Sequence, residues 1–282
     1  MKFVKIIASK KKILLLAMVY AFLSCDKIEG PYKEIHNSGN DTNVYVQKVL
    51  IEDFTGHRCG NCPRAHEKLH QILSLYGNKV IGVALHSGFF AMPLPPNYPA
   101  DFRTTEADEI ANTFGVTQWP IGMVNRTEYN GNMLLSHDAW TEAVEVLLQQ
   151  QPRAYISINS TYSSANSNVD ASISVKILQN ISEQVKMSVF LTEDSIISAQ
   201  TDYDQNPTLI PNYLHMHVFR ASFNGTWGTE VPISTKQVGD TILRNFNLTW
   251  NNAWIKKNCH IVAFIYDVAT NHIIQVEQAD IQ

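Results

Sequence analysis

Residues 52–63 read E-D-F-T-G-H-R-C-G-N-C-P, and this stretch decides the fold prediction. Residues 45–54 are rich in β-forming side chains and lead directly into it. Residues 63–76 begin with a proline, which suits the first turn of a helix, and continue with apolar residues at helical spacing. The pattern therefore predicts that Cys59 and Cys62 lie at a junction between a strand and a helix.

The same kind of pattern extends to about residue 151 and predicts the order β-α-β-α-β-β-α. The elements predicted after the first strand and helix are a strand at 79–86, a helix at 105–115, a strand at 121–126, a strand at 132–135 that follows the hairpin signal Asn130-Gly131, and a helix from residue 136. Alternating strands and helices are typical of an α/β domain.

The spacing of the cysteines favours redox chemistry over the two other uses of such a pair. A zinc site would need a second pair of ligands, and only His57 and His66 lie close by in sequence. A purely structural disulfide between residues three apart closes almost no loop and removes little chain entropy. Metal delivery through these two histidines with Cys59 and Cys62 remains an alternative hypothesis.

Residues 44–151 resemble the thioredoxin fold, and three local matches carry this resemblance. The run E-D-F-T-G-H-R-C-G-N-C-P resembles the thioredoxin active site, and Asp53 stands where that family keeps a buried acid. The run F-G-V-T-Q-W-P resembles the segment that leads into the family's cis-proline, which corresponds to Pro120. The resemblance implies catalytic roles for Cys59, Cys62, Asp53 and Pro120.

The expected chemistry follows from the predicted helix start. A thiolate is the attacking species, and the positive end of a helix lowers a thiol pKa, with Arg58 and His57 adding positive charge. Cys59 would then attack a disulfide, and Cys62, one turn further along, would resolve the mixed disulfide. Asp53 or its neighbour Glu52 would exchange a proton with Cys62; the alternative is that either acid is a solvated strand residue.

Residues 86–103 form an insertion that contains four prolines among aromatic residues. This composition predicts an ordered loop, and its functional interpretation is that it caps the thiols and binds an extended peptide or another protein. The alternative is a loop that only packs on its own protein. The candidate substrate contacts are Arg58, Phe89, Phe90 and Trp119.

After residue 152 the period of the apolar residues becomes two, as in Val169 to Ile177. About seven such segments predict an all-β, immunoglobulin-like sandwich over residues 152–282. His215 and His217 alternate on one strand, where a solvated face is more common than a metal site. Cys259 has no evident partner and is predicted to be buried and inert. No resident metal or cofactor is expected beyond a redox-active Cys59–Cys62 disulfide.

The N-terminus is typical of a secreted lipoprotein. Residues 1–24 have a lysine-rich start followed by an apolar run, which indicates a signal peptide. The stretch A-F-L-S-C resembles a lipobox, which implies that Cys25 carries lipid and anchors the chain to a membrane. Residues 25–43 are polar and predict a flexible tether. From Cys25 onward 17 basic residues face 26 acidic ones, a net charge of −9 that argues against nucleic-acid partners.

The complete layout resembles the Bacteroidetes twenty-eight-kilodalton outer-membrane-protein family. The matching features are the lipobox, C-G-N-C-P, the F-x-x-P-x-x-x-x-Y-P-x-D-F-R loop, F-G-V-x-x-x-P and the H-x-H-V-x-R-A…G-T-W-G segment. This resemblance implies a lipid-anchored protein of the cell envelope, at the outer membrane.

Two functions are consistent with these features. The first is an enzyme, a thiol–disulfide oxidoreductase or isomerase that acts on the thiols and disulfides of extracytoplasmic proteins. The second is a non-catalytic, adhesin-type surface protein that uses the same scaffold to bind a partner.

Overall fold

The computed structural model describes residues 45–232 and 236–282. The predicted signal peptide 1–24, the tether 25–43 and the lipid-attachment residue Cys25 lie outside these residues. Tyr45 to Gln282 group into one compact unit. No helix of the described part of the chain has the length and apolar character needed to cross a membrane.

Three helices and thirteen strands occur in the described residues. The helices are α1 (Cys62–Tyr76), α2 (Thr105–Thr113) and α3 (Trp140–Leu148). The strands are β1 (Val49–Thr55), β2 (Val80–His86), β3 (Ile121–Val124), β4 (Ala154–Ser163), β5 (Asn168–Ile177), β6 (Val185–Glu193), β7 (Ile196–Thr201), β8 (Leu209–His215), β9 (Val218–Ser222), β10 (Thr229–Val231), β11 (Thr241–Thr249), β12 (Cys259–Asp267) and β13 (Ile273–Asp280).

The helices begin and end where the local sequence indicates. In α1, Pro63 occupies the first turn, and Leu69 and Ile72 are buried on one face. Gly77 ends this helix with a φ of 57°, a conformation that side-chain-bearing residues rarely adopt. Thr104 caps α2, because its Oγ1 accepts a hydrogen bond from the backbone N–H of Ala107 at 3.1 Å. The predicted helices are therefore confirmed as individual elements.

The strands form one large sheet and two small ones. The large sheet has the order β13-β12-β6-β9-β2-β1-β3, and β10 pairs with β6 on the side. The second sheet has the order β11-β5-β4, and β7 and β8 form a separate hairpin. The inward residues of β5 pack against β6 and β12, so that the three-stranded sheet stacks on one half of the large sheet.

The predicted fold class, a thioredoxin-like α/β domain followed by an immunoglobulin-like sandwich, is wrong. Strands from both halves of the chain belong to one sheet, in which β9 lies beside β2 with Ala84 opposite Val218. The predicted strand at 132–135 is not formed, and isolated bridges such as Gly122 with Leu135 replace it. The β-β-α ending of the predicted domain is therefore absent.

The physical reason is that each half leaves surfaces that only the other half covers. A free β2 edge would expose unpaired backbone groups, and β9 pairs with it instead. One core cluster joins Leu50, Phe54 and Leu85 of the first half to Phe219 and Phe264 of the second. Burial of these apolar side chains favours one fused unit over two domains.

A buried ion pair lies at the same junction. The Arg126 guanidinium donates to both carboxylate oxygens of Glu52, with Nε–Oε2 at 2.7 Å and Nη2–Oε1 at 2.6 Å. Aromatic rings from both halves surround the guanidinium, among them Phe114 and Phe264, each 5.3 Å from Cζ. Because both charges are paired, their burial inside the core is tolerated.

Candidate functional site

The two cysteines of the C-G-N-C motif form a disulfide, with 5.4 Å between their Cα atoms. Cys62 is the first residue of α1, whereas Cys59 lies in the turn before the helix. The bond to Cys62 nevertheless fixes the Cys59 sulfur at the first turn of α1. This turn contains no acidic residue, so the positive end of the helix is not offset locally.

Cys62 is completely buried, and Cys59 is 3% exposed. Cys59 is thus the cysteine of this pair that keeps some exposure to solvent. The order of reaction in which Cys59 meets the substrate and Cys62 stays inside remains a prediction.

Asp53 lies in the centre of β1, between Gly122 of β3 and Ala84 of β2. Its side chain is completely buried, and neither carboxylate oxygen has a hydrogen-bond partner among the described residues. Burial raises the pKa of Asp53 from 3.8 to about 8. The alternative of a solvated strand residue is therefore wrong for Asp53.

Glu52 is also buried, but both of its oxygens are bound to Arg126. Of the two neighbouring acids, Asp53 is therefore the one whose oxygens no hydrogen bond occupies, whereas Glu52 belongs to the buried ion pair with Arg126.

The two residues expected to add positive charge to the thiols behave differently. His57 is 1% exposed, its ring stacks on Tyr98 at 5.5 Å, and burial lowers its pKa. The expectation of a cationic His57 is therefore wrong. The Arg58 guanidinium lies 4.6 Å over the Phe89 ring and donates to the Met92 carbonyl at 3.3 Å. Arg58 thus anchors the 86–103 loop to the turn that carries Cys59.

The 86–103 loop reaches the disulfide turn from one side. The backbone N–H of Arg58 donates to the Phe90 carbonyl at 3.0 Å, and the Phe90 ring contacts Trp119 at 6.0 Å between centroids. Phe89 is 58% exposed and points away from the core. Of the predicted substrate contacts, Phe89 is the accessible aromatic side chain, whereas Phe90 and Trp119 support the loop.

The Trp119–Pro120 peptide bond is cis, as predicted. Pro120 directly precedes β3, in which Ile121 is opposite Phe54 of β1. Because β1 leads from Phe54 into the turn with Cys59, Pro120 lies at the same end of the sheet as the disulfide.

Sequence reasoning missed a second segment that covers the disulfide, the β7–β8 hairpin (196–215). Gln200 is completely buried, and its Nε2 donates to the Cys59 carbonyl at 2.9 Å. The backbone N–H of Tyr203 donates to the Gly60 carbonyl at 2.9 Å, and its ring occupies the space that a Cβ at residue 60 would need. A glycine between the two cysteines was the available signal for this close approach.

A histidine-rich cavity of about 220 Å³ lies on the inner side of this site. Its lining includes Asp53 and the histidines His66, His70, His86, His215 and His217. The predicted metal ligands do not converge, because His57 stacks on Tyr98 whereas His66 contacts Thr55. Within residues 45–232 and 236–282, no group of three His, Cys, Asp or Glu side chains is arranged to hold a metal ion.

Cys259 is 1% exposed and free, and burial raises its pKa to about 12. The prediction that this thiol is buried is confirmed, and its inertness stays a prediction. Its burial makes Cys259 a natural control residue for experiments on Cys59 and Cys62.

Two solved structures have an architecture similar to that of this chain. HBP35 of Porphyromonas gingivalis matches with a TM-score of 0.66 and 16% identity, over 84% of this chain and 76% of that chain. A structural-genomics protein from Agrobacterium tumefaciens matches with a TM-score of 0.50 and 13% identity, over 83% of this chain and 94% of that chain. Each match includes both halves of the chain, which agrees with one fused fold.

The family follows from the sequence. The model of the family described as outer membrane protein Omp28 matches residues 107–282, more than half of the chain. A domain of the outer membrane lipoprotein Omp28 from Porphyromonas gingivalis also matches, with 20% identity over 47% of this chain and 91% of that chain and a TM-score of 0.33. No curated protein matches. The chain belongs to the Omp28 family, which confirms the predicted family and the predicted location at the outer membrane. The lipid anchor on Cys25 stays a prediction.

Proposed function

We propose that this outer-membrane lipoprotein is a thiol–disulfide oxidoreductase that acts on extracytoplasmic proteins through Cys59 and Cys62. The observation that carries the proposal is the disulfide at the start of α1 together with the buried, unpartnered carboxyl group of Asp53 on the neighbouring strand. A structural disulfide of this span would contribute little to stability and would need no buried acid.

In the reducing direction the Cys59 thiolate attacks a client disulfide and one client sulfur leaves as a thiolate. Cys62 then gives its proton to the Asp53 carboxylate and attacks the Cys59 sulfur. This step breaks the bond between Cys59 and the client, and the second client sulfur leaves as a thiolate. The client gains two electrons, and the protein is left with the Cys59–Cys62 disulfide. The oxidising direction is the reverse, with Asp53 returning the proton to Cys62.

The pKa of Asp53 suits this role. A general base works best when its pKa is close to the working pH, and burial places the Asp53 pKa at about 8. An ordinary aspartate is too weak a base to take a proton from a thiol at neutral pH.

The direct test is the reduction of a disulfide-bonded model protein by the whole chain, with dithiothreitol as electron donor. We expect turnover by the wild type, its loss in Cys59→Ser, and no change in Cys259→Ser. Cys62→Ser should accumulate a mixed disulfide between Cys59 and the client, which mass spectrometry detects. Absence of turnover by the wild type would contradict the proposal.

The competing proposal is a non-catalytic, adhesin-type binding protein. The low exposure of Cys59 and the Tyr203 ring over Gly60 favour it, because a covered disulfide reacts slowly. Under this proposal Cys59→Ser and Cys62→Ser would leave partner capture unchanged, and no mixed disulfide would form.

A further inference from the structure

The proton that leaves Cys62 needs a route to solvent, and Asp53 cannot supply that route alone. Asp53 is completely buried and has no hydrogen-bond partner among the described residues. After it takes a proton, it must release that proton before the next cycle. A further group must therefore connect this carboxyl group to water.

His66 is the side chain whose position connects the Asp53 carboxyl group with solvent. It lies on α1 four residues after Cys62, about one turn further along the same face of the helix. Its Nε2 is 3.7 Å from the Asp53 Oδ2, and its side chain is 18% exposed. The cavity that both residues line has room for water molecules to bridge this distance.

The second ring nitrogen of His66 faces outward. Nδ1 is 2.8 Å from the hydroxyl of Tyr213, which is partly exposed on β8. Nε2 is also 2.8 Å from Thr55 Oγ1. Through these contacts Nε2 is bound to Thr55 Oγ1 and lies 3.7 Å from Asp53, while Nδ1 is bound to the partly exposed Tyr213. The two nitrogens thus lie between the buried acid and a side chain that reaches solvent, as a proton relay needs.

The surroundings keep His66 neutral. Burial and the neighbouring His215 and His217 lower its pKa to about 3. The other titratable groups that line the cavity are Glu67 and His70 on α1, His86 on β2 and Tyr213 on β8. A neutral imidazole has one protonated and one free nitrogen, so it can accept and donate a proton in one event.

The other buried histidines are less suitable. His86 and His215 are 1% and 2% exposed, and none of their ring nitrogens has a partner among the described residues. They therefore offer no defined path to the surface.

We infer that His66 is a positioning residue that relays the proton between Asp53 and solvent each time Cys62 opens or closes the disulfide. Protonated Asp53 passes its proton through a water to Nε2, which gives up its hydrogen bond with Thr55 Oγ1, and the Nδ1 proton leaves toward the Tyr213 hydroxyl and water. One proton enters the relay and one leaves it, and no electrons are transferred. The inference rests on the proposed function and specifies how Asp53 loses its proton and returns to the carboxylate form.

The test uses the reduced whole protein and oxidised glutathione. Rapid acid quenching and mass spectrometry follow the mixed disulfide of Cys59 with glutathione as it forms and then closes. Because the pKa of Asp53 is about 8, this carboxyl group is mostly protonated at pH 7 and must lose its proton through the relay before it can accept the proton of Cys62. We therefore expect His66→Gln to leave the formation rate unchanged and to slow closure at pH 7 by about tenfold or more. His70→Gln, on the next turn and lining the same cavity, is the matched control and should close like the wild type.

Two readouts separate a relay from a structural effect. With the relay removed, hydroxide must take the proton from Asp53, so closure by His66→Gln should keep rising with pH above 8. The wild-type rate should level off above about pH 8, where Asp53 is ionised. In His66→Ala, added imidazole should restore the closure rate, because it enters the space left by the side chain. If His66→Gln does not fold, Tyr213→Phe replaces it in the test, because this variant keeps the ring and removes the hydroxyl. Its closure rate and pH profile should then change in the same way as expected for His66→Gln.

The outcomes distinguish a failure of the His66 relay from a failure of the proposed function. Closure of His66→Gln at the wild-type rate with the wild-type pH profile overturns the relay and leaves the proposed function intact. Failure of wild-type Cys59 to form any mixed disulfide overturns the proposed function and the relay together.

Discussion

Asp53 is the residue whose environment departs furthest from what its side chain prefers. A carboxyl group in the middle of a strand, completely buried and without a hydrogen-bond partner among the described residues, favours the neutral form. Such an arrangement costs stability at neutral pH, and it is typical of sites where a proton is moved. The same strand places its neighbour Glu52 in a buried ion pair, so that adjacent acids have opposite roles.

Replacement of Asp53 by asparagine should stabilise the oxidised protein at neutral pH. The folded-state pKa of about 8 lies above the ordinary value of 3.8, so the folded state binds one proton more than the unfolded state between these values. Stability contributed by the neutral carboxyl is complete below about pH 4 and falls as the pH rises toward 8. At pH 8 we expect Asp53→Asn to raise the free energy of unfolding by on the order of 3–5 kcal/mol.

Urea unfolding at pH 3.5 and pH 8 measures this difference, with the disulfide kept oxidised. The gain from Asp53→Asn should be present at pH 8 and vanish near pH 3.5, where the wild-type carboxyl is neutral in both states. An equal effect at both pH values would show that the carboxyl charge is not responsible.

At the scale of elements, the β7–β8 hairpin lies against the turn that carries Cys59. Buried Gln200 donates to the Cys59 carbonyl, and the backbone N–H of Tyr203 donates to the next carbonyl, that of Gly60. The exposed Arg64 and Asp204 side chains add a bidentate ion pair, with distances of 2.7 and 2.6 Å. An exposed pair of this kind contributes little, so the side-chain contacts that matter at the turn are the hydrogen bond of Gln200 and the ring of Tyr203 against Gly60.

Tyr203→Ala should therefore accelerate reduction of the Cys59–Cys62 disulfide by a small dithiol. Loss of a ring contact worth about 1 kcal/mol would raise the open fraction about fivefold. Tyr203→Phe, which keeps the ring, should react like the wild type. The rate of reduction, followed by alkylation of the released thiols, measures the effect; a rate unchanged in Tyr203→Ala would mean that the hairpin does not limit access.

At the scale of the whole molecule, the two halves depend on each other. The edge of β2 is covered by β9, and the core around Phe54 contains Phe219 and Phe264. The buried Arg126 guanidinium is likewise enclosed by rings from the second half, including Trp227 and Tyr266. These surfaces would be exposed to water if the halves were separated.

Residues 44–151 expressed alone should consequently fail to form a cooperative native structure. The exposed β2 edge and the uncovered apolar face favour aggregation or a loosely packed state. A full chain with Cys59→Ser and Cys62→Ser is the control and should remain folded, because the disulfide closes almost no loop. A well-dispersed NMR spectrum and a single cooperative transition for residues 44–151 would contradict this account.

Sequence reasoning predicted the features that depend on local interactions and missed those that depend on contacts between distant segments. The strand before Cys59, the helix after it and the stop at Gly77 were predictable, because periodicity, proline and glycine act locally. The pairing of β9 with β2 was not, because strand partners far apart in sequence leave no local pattern. The break at His217, with a φ of 56°, divides one predicted strand into β8 and β9, which belong to different sheets.

Some residues of the candidate site were likewise predictable from local motifs, and others were not. The C-G-N-C pair, Asp53 and Pro120 are marked by short motifs, and the structure brings them to one end of the sheet. Gln200 and Tyr203 come from a hairpin about 140 residues later, and no motif links it to the cysteines. Their role depends on a tertiary contact, which only the fold reveals.

The central claim is that the Cys59–Cys62 disulfide exchanges electrons with other thiols, and its reduction potential tests this most directly. The whole protein is equilibrated with glutathione buffers of graded ratio, and the oxidised fraction is counted by alkylation and mass spectrometry. The account predicts a reversible two-electron transition with a midpoint between about −270 and −120 mV, the range of thiol–disulfide oxidoreductases. A midpoint below about −300 mV, as in structural disulfides, or no transition at all would contradict it.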